Sequence, residues 1–328
     1  LIIKANSQKI FADKNPIIQT MKVIIILPGV KMIYPNAFNN LTILKEITIP
    51  SSVTSIGNAA FQGCSSLLKI EIPDSVLSIG EFVFDGCKSL NEVKIHSHAL
   101  KQISNSLFRG CYSLSQIKIQ SLVNQICEYS FYSCFSLKQI QIPYSVTEIG
   151  QFSFGECSKL EKIIIPSSVL SIKQSSFYMC YSLVEIELPP SLTTIENWTF
   201  CGCSKLNKII IPQSVTSIGS NAFSKCSSLE NISLPNYLIS IGENAFDGCE
   251  KLERITIPST VTSIKMETFL NCISLKEVIF QDDNKIKEIS ESAFKGCSSL
   301  PSKYIPENLL KPDKSNSLLS NIWPAFFG

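Results

Sequence analysis

Of 328 residues, 45% are apolar and only 17% charged, and 29 basic side chains stand against 27 acidic ones for a net charge of +2. So even a balance leaves no electrostatic footprint for nucleic acid or for an anionic membrane surface, and no charged tail is present. No apolar run approaches the roughly 18 residues of a membrane-crossing helix: the longest, residues 23–27, stops at Pro28.

Taken in chain order, residues 1–25 lack the regular spacing of the central chain and end in "KVIII", a half unit expected to cap the N-terminus and supply a first strand. The chain opens at Leu1 rather than Met, which reads as a processed form whose signal peptide or anchor would lie outside it. From there phenylalanines recur at Phe38, Phe61, Phe84, Phe108, Phe131, Phe154, Phe177, Phe200, Phe223, Phe246, Phe269 and Phe294, spaced by 23 residues except for one step of 24 and one of 25. A period in the twenties sustained over so many units predicts a solenoid rather than a globule.

Each unit divides into four pieces. The spacing of two at Ile70 and Ile72 predicts a short strand with one buried face, and Pro73 ends it by removing a ladder donor. An extended return through Val76 and Ile79 comes next. The spacings of three around Phe84, Cys87 and Leu90 predict a helical turn or two, with Gly63 and Gly86 where the backbone must be permissive. No unit buries its Ile, Val, Leu and Phe alone, so neighbours must stack. The expected fold is an α/β repeat solenoid with a parallel β-sheet on the concave side and short extended or helical turns on the convex side. About twelve repeats fill residues 26–300. Residues 301–328 form a C-terminal cap or tail, in which Trp323, Phe326 and Phe327 are expected to fold over the last unit.

The phrase L-x-x-I-x-I-P-x-S-V-T-S-I-G-x-x-A-F-x-G-C-S-S-L, running with few departures from about Ile26 to Leu300, resembles the BspA-like class of leucine-rich repeats. Departures include the unit from His96 to Ile103, which lacks the proline and gains a residue, and "FQDDNKIKEIS", which gains two. The resemblance implies a non-enzymatic surface or secreted protein that adheres to host cells, matrix glycoproteins or other microbes.

Eleven of the thirteen cysteines lie three residues after the repeat phenylalanine, in a slot the first unit gives to Leu41. A slot shared by Cys and Leu is one for a modest apolar side chain. Disulfides along such a ladder are disfavoured by direction, because equivalent side chains in stacked units point the same way instead of toward each other. Zinc is disfavoured by the absence of any C-x-x-C pair. Cys127 and Cys201 lie off the ladder and are the candidates for exposed, oxidisable thiols, although a structural role is favoured there too.

His96 and His98 could share one side of a strand and bind a metal, but a solvated loop is the favoured reading. "QDDN" at residues 281–284 reads as a polar turn rather than a calcium loop. Two histidines give a catalytic triad little to draw on, and no phosphate loop or dinucleotide fingerprint is present. No enzyme activity, cofactor or metal is expected. Asn40, Asn197 and Asn231 head N-glycosylation sequons compatible with secretion.

Function is expected on the outward positions of the strands, which run Glu46/Thr48, Lys69/Glu71, Glu92/Lys94, Gln116/Lys118, Gln139/Gln141, Lys162/Ile164, Glu185/Glu187, Lys208/Ile210, Asn231/Ser233, Arg254/Thr256 and Glu277/Ile279. Among them Lys162, Ile164, Glu185, Glu187, Lys208, Ile210, Arg254 and Ile279 are the candidate partner-binding residues, facing a protein or glycoprotein ligand on a face on the order of 50 Å long. Cross-strand charge neutralisation is the plainer account of the Glu185 and Glu187 region. The alternative to adhesion is an intracellular scaffold or regulatory receptor, whose reducing surroundings tolerate unpaired thiols.

Overall fold

The computed structural model describes residues 2–3, 18–282, 285–305 and 307–313. Trp323, Phe326, Phe327, Asp283 and Asn284 lie outside the described residues, as does most of the expected N-terminal cap.

The chain winds as a solenoid of three-sided rungs. The first side is a parallel sheet built from Val23–Ile26, Glu46–Thr48, Lys69–Ile72 and Glu92–Ile95, then Gln139–Gln141, Lys162–Ile164, Glu185–Glu187 and Lys208–Ile210, then Arg254–Ile257 and Glu277–Phe280. Residues 23 apart stand in register, as Lys69 with Glu92 and Ile163 with Ile186. Burial alternates along these strands, and Ile70, Ile72, Ile163 and Ile186 point inward. Between Glu92–Ile95 and Gln139–Gln141 the ladder thins to a single bridge, Lys118 to Gln141.

The second side comes after the proline. Two-residue strands such as Ser55–Ile56, Ser78–Ile79 and Ser171–Ile172 pair in parallel at the same spacing. The last of this series among the described residues, Leu310–Lys311, pairs with Glu288–Ser290. Serines stitch the corner between these sides. The Ser75 hydroxyl donates to the Val53 carbonyl at 2.6 Å, and Ser168 to Val146 at 2.8 Å. In the unit from His96 to Ile103, Ala99 takes the serine's place and Ser97 supplies the bond to Val76 instead.

The third side corrects an expectation. The described residues contain no α-helix; the stretch around Phe84 is a run of tight turns. Asp85, Cys87 and Leu90 donate backbone N–H groups three residues back, to Phe82, Phe84 and Cys87. The intervening N–H groups of Phe82, Phe84 and Gly86 instead reach the carbonyls of Asn105, Leu107 and Arg109 in the next rung. An α-helix commits its N–H groups to its own chain four residues back. Here every other one is spent on the neighbour, and a left-handed residue on either side of the phenylalanine (Phe82 at φ 59°, Gly86 at φ 72°) prevents helical propagation. The spacing of three thus records successive three-residue turns.

The core is one column of stacked rungs. Phe38 through Phe269 are fully buried or nearly so, and successive ring centroids lie 5.2–5.6 Å apart with planes within 3–16°. The cysteine slot lies beside it. Each of the eleven ladder thiols donates to the carbonyl of the phenylalanine one rung back, at 3.0–3.3 Å. All thirteen cysteines are free and buried. Cys127 and Cys201, the candidates for exposure, are 8% and 6% exposed, because the rungs on either side cover both.

Candidate functional site

The outward face of the first sheet carries the residues that the repeat leaves unconstrained. Pleating sends alternate side chains to opposite faces, so each strand offers two columns to solvent. All eight candidate residues stand there exposed. Six are contiguous: Lys162, Glu185 and Lys208 are successive partners in one column, and Ile164, Glu187 and Ile210 in the other. Arg254 and Ile279 share the face but not this cluster, because Asn231/Ser233 intervene before Arg254, and Thr256 is the strand partner of Ile279. Ile164 and Ile210 are 60% and 65% exposed, more than any other isoleucine of these columns.

Charge on this face follows a rule and then departs from it. Lys69 pairs with Glu46 at 3.5 Å, Lys94 with Glu71 at 3.1 Å and with Glu92 at 2.8 Å, Lys162 with Glu185 at 3.7 Å, and Arg254 with Glu277 at 3.8 Å. The bond to Lys94 holds the Glu92 carboxyl below its ordinary value, and the bonds to Glu92 and Glu71 hold the Lys94 ammonium above its own. These exposed pairs are screened by solvent and each adds little stability, but they leave every charge toward the two ends of the sheet with a partner. Among the described charged residues of the two columns, only Lys118, Glu187 and Lys208 have no ion-pair partner. All three fall in the middle of the face. Neutralisation thus accounts for Glu185, and Glu187 stands between two exposed isoleucines instead.

A shallow concavity lies beside this cluster, where the ladder thins. Its lining includes Gln116, Lys118, Gln139 and Gln141 with His98 and Tyr144, and it reaches Lys162 and Ile164. Sequence reasoning did not mark it as a site. Its signals were the 24-residue step after Phe84, the missing proline and the run of glutamines. His96 and His98 are both exposed after the strand Glu92–Ile95. Among the described residues no group of three or more His, Cys, Asp or Glu side chains gathers to hold a metal. The sequon residues Asn40, Asn197 and Asn231 are exposed, the last on the first sheet.

The turn side carries an aromatic cluster that the repeat consensus concealed. Tyr129 stacks on Phe152 at 5.0 Å, Tyr178 meets Phe152 and Trp198 edge-on, and the Tyr132 hydroxyl donates to Glu156 at 2.6 Å. Burial, reinforced by Glu156, pushes the Tyr132 hydroxyl well above its ordinary value. Tyr129, Phe152 and Trp198 occupy left-handed backbone positions (φ 54°, 51° and 60°) that other rungs give to Asn36, Asn221 and Asn244. The rings half-bury one another and clasp these rungs from outside.

The comparisons agree with this geometry. The model of the BspA type leucine rich repeat region matches residues 18–138, 124–233 and 216–317. A leucine-rich repeat protein from Bacteroides ovatus ATCC 8483 is similar at 30% identity and a TM-score of 0.82, over 95% of this chain and 83% of that one. A leucine rich cell surface protein from Faecalibacterium prausnitzii A2-165 is 26% identical with a TM-score of 0.53, over 92% of this chain and 90% of that one. The pneumococcal vaccine antigen PcpA, 20% identical with a TM-score of 0.57 over 89% of this chain and 78% of that one, shares the fold. No curated protein matches the chain. Repeat, rung geometry and family model converge: the chain belongs to the BspA-type leucine-rich repeat family.

Proposed function

We propose that this chain is a non-enzymatic adhesion module, displayed at a cell surface or secreted, which binds a protein or glycoprotein of a host matrix or of another cell through its first sheet. The observation that carries this reading is the coincidence, on one stretch of that sheet, of charged side chains that form no ion pair, Glu187 and Lys208, with the exposed Ile164 and Ile210. BspA-type repeats form a protein-interaction fold, and the similar Faecalibacterium chain is described as a cell surface protein.

The test has two parts. Antibody should label intact, unpermeabilised source cells, and mild external protease should remove the label; signal only after permeabilisation would overturn the surface placement. The purified chain should also bind immobilised matrix glycoproteins, and Ile164→Asp/Ile210→Asp should abolish that binding while leaving the thermal midpoint unchanged. Undiminished binding by the double variant would overturn the assignment of the face.

A further inference from the structure

The pattern on the middle of the first sheet has a periodicity, and the periodicity selects a shape of partner. Along one outward column the order is Lys118, Gln141, Ile164, Glu187, Ile210, one residue per strand. At about 4.8 Å per strand, Ile164 and Ile210 are about 9.6 Å apart with Glu187 midway, and Lys118 lies about 9.6 Å before Ile164. Lys208 is beside Ile210 on the same strand, in the other column.

An α-helix laid across the strands rises about 1.5 Å per residue, so positions i and i+7 lie about 10.5 Å apart on one face, with i+3 and i+4 between them on that face. Those are the places for two apolar side chains against Ile164 and Ile210 and one cation against Glu187. A β-strand returns to the same face only every other residue, about 6.6–6.8 Å, and misses both spacings. A polyproline helix repeats every third residue at about 9.3 Å, which spans the isoleucines but turns nothing toward Glu187. The charges outside ion pairs complete the complement: acid toward Lys118 one apolar spacing earlier, and acid toward Lys208 beside the second apolar residue. Desolvating an unpaired Glu187 between two isoleucines under any partner that brought no cation would be costly. A matching cation turns that cost into orientation and specificity.

We infer that the middle of this face receives an amphipathic α-helix lying across the strands, with apolar residues at i and i+7, Lys or Arg at i+3 or i+4, and acidic residues at i−7 and beside i+7. This rests on the proposed use of the first sheet for binding a protein. Helix-in-groove recognition elsewhere reads the same i, i+4, i+7 anchors.

The probe is a fluorescent alanine-based helical peptide with Glu, Leu, Lys, Leu and Asp at i−7, i, i+4, i+7 and i+8, titrated against the intact chain by anisotropy. Two controls accompany it: the same peptide with proline at i+2, which cannot form the helix, and one with Glu in place of the central Lys. The helical peptide should bind at least about tenfold more tightly than either control, a difference of about 1.4 kcal/mol. Glu187→Lys should reverse the preference, rejecting the Lys peptide and taking the Glu peptide. Equal binding of the proline-broken peptide, or no reversal by Glu187→Lys, would overturn the inference, as would no binding by any peptide. If the peptides fail while Ile164→Asp/Ile210→Asp still abolishes binding to matrix glycoproteins, the helix is wrong and the face stands. If that double variant binds undiminished, the face itself is wrong.

Discussion

Phe177 lies between Phe154 and Phe200 with ring centroids 5.6 Å away on both sides and none of its surface exposed. Its removal leaves a void that rigid neighbours on two sides cannot fill, so Phe177→Ala should cost about 3–5 kcal/mol in urea unfolding; a loss below about 1 kcal/mol would mean that the stack does not form the core. The thiols beside the rings have a different sensitivity. An unfolded cysteine ionises near pH 8.5. Burial in the fold pushes Cys64 up to about 12 and raises Cys87, Cys111 and Cys134 well above the ordinary value. Because the folded value is the raised one, this contribution is complete below the unfolded pKa and is lost as pH climbs toward the folded values. The thermal midpoint should therefore fall steeply from about pH 8.5 upward. Replacing Cys157, Cys180 and Cys203 together with alanine should flatten that fall while lowering the midpoint at pH 7. An unchanged slope in the triple variant would show that the ladder does not carry the alkaline sensitivity.

At the scale of the element, the strands were legible because their cause is local. Alternation at Ile70 and Ile72, ended by Pro73, can be met by only one kind of half-buried segment. The cysteine slot was legible as apolar through Leu41. That each thiol also feeds the second lone pair of a carbonyl one rung back was not, since the acceptor lies 26–28 residues away. The turn side was misread because a spacing of three is shared by helices and by chained turns. The missing clue lay in Asn36, Asn221 and Asn244, residues that tolerate a left-handed backbone at a position where a helix has no use for one. The candidate cluster was legible as a list of outward residues. Which charges lack partners depends on where each ammonium group settles, and no pattern of letters distinguishes Lys162, which reaches Glu185, from Lys208, which does not.

Over the whole molecule, every rung meets only the rungs before and after it, so stability is close to a sum of rung and interface contributions. Excising residues 208–230, one full period, joins Asn207 to Asn231 in phase. It should leave a chain that unfolds at a lower temperature with its β-sheet circular dichroism per residue intact. Excising residues 208–219 breaks the phase and should abolish that signal beyond the cut; equal behaviour of the two deletions would refute nearest-neighbour stacking. The backbone bonds between rungs have one further consequence. From Phe38 with Ala60 to Phe246 with Thr268, nearly all of those on the turn side bridge 22 residues of chain, so the loop closed at each step of assembly has almost the same length wherever it occurs, and almost the same entropic cost. Relative contact order therefore falls as rungs are added instead of rising. A nascent chain can zip up as it is synthesised, and a gene that gains or loses a period by slippage lengthens or shortens the protein without giving it a slower folding problem.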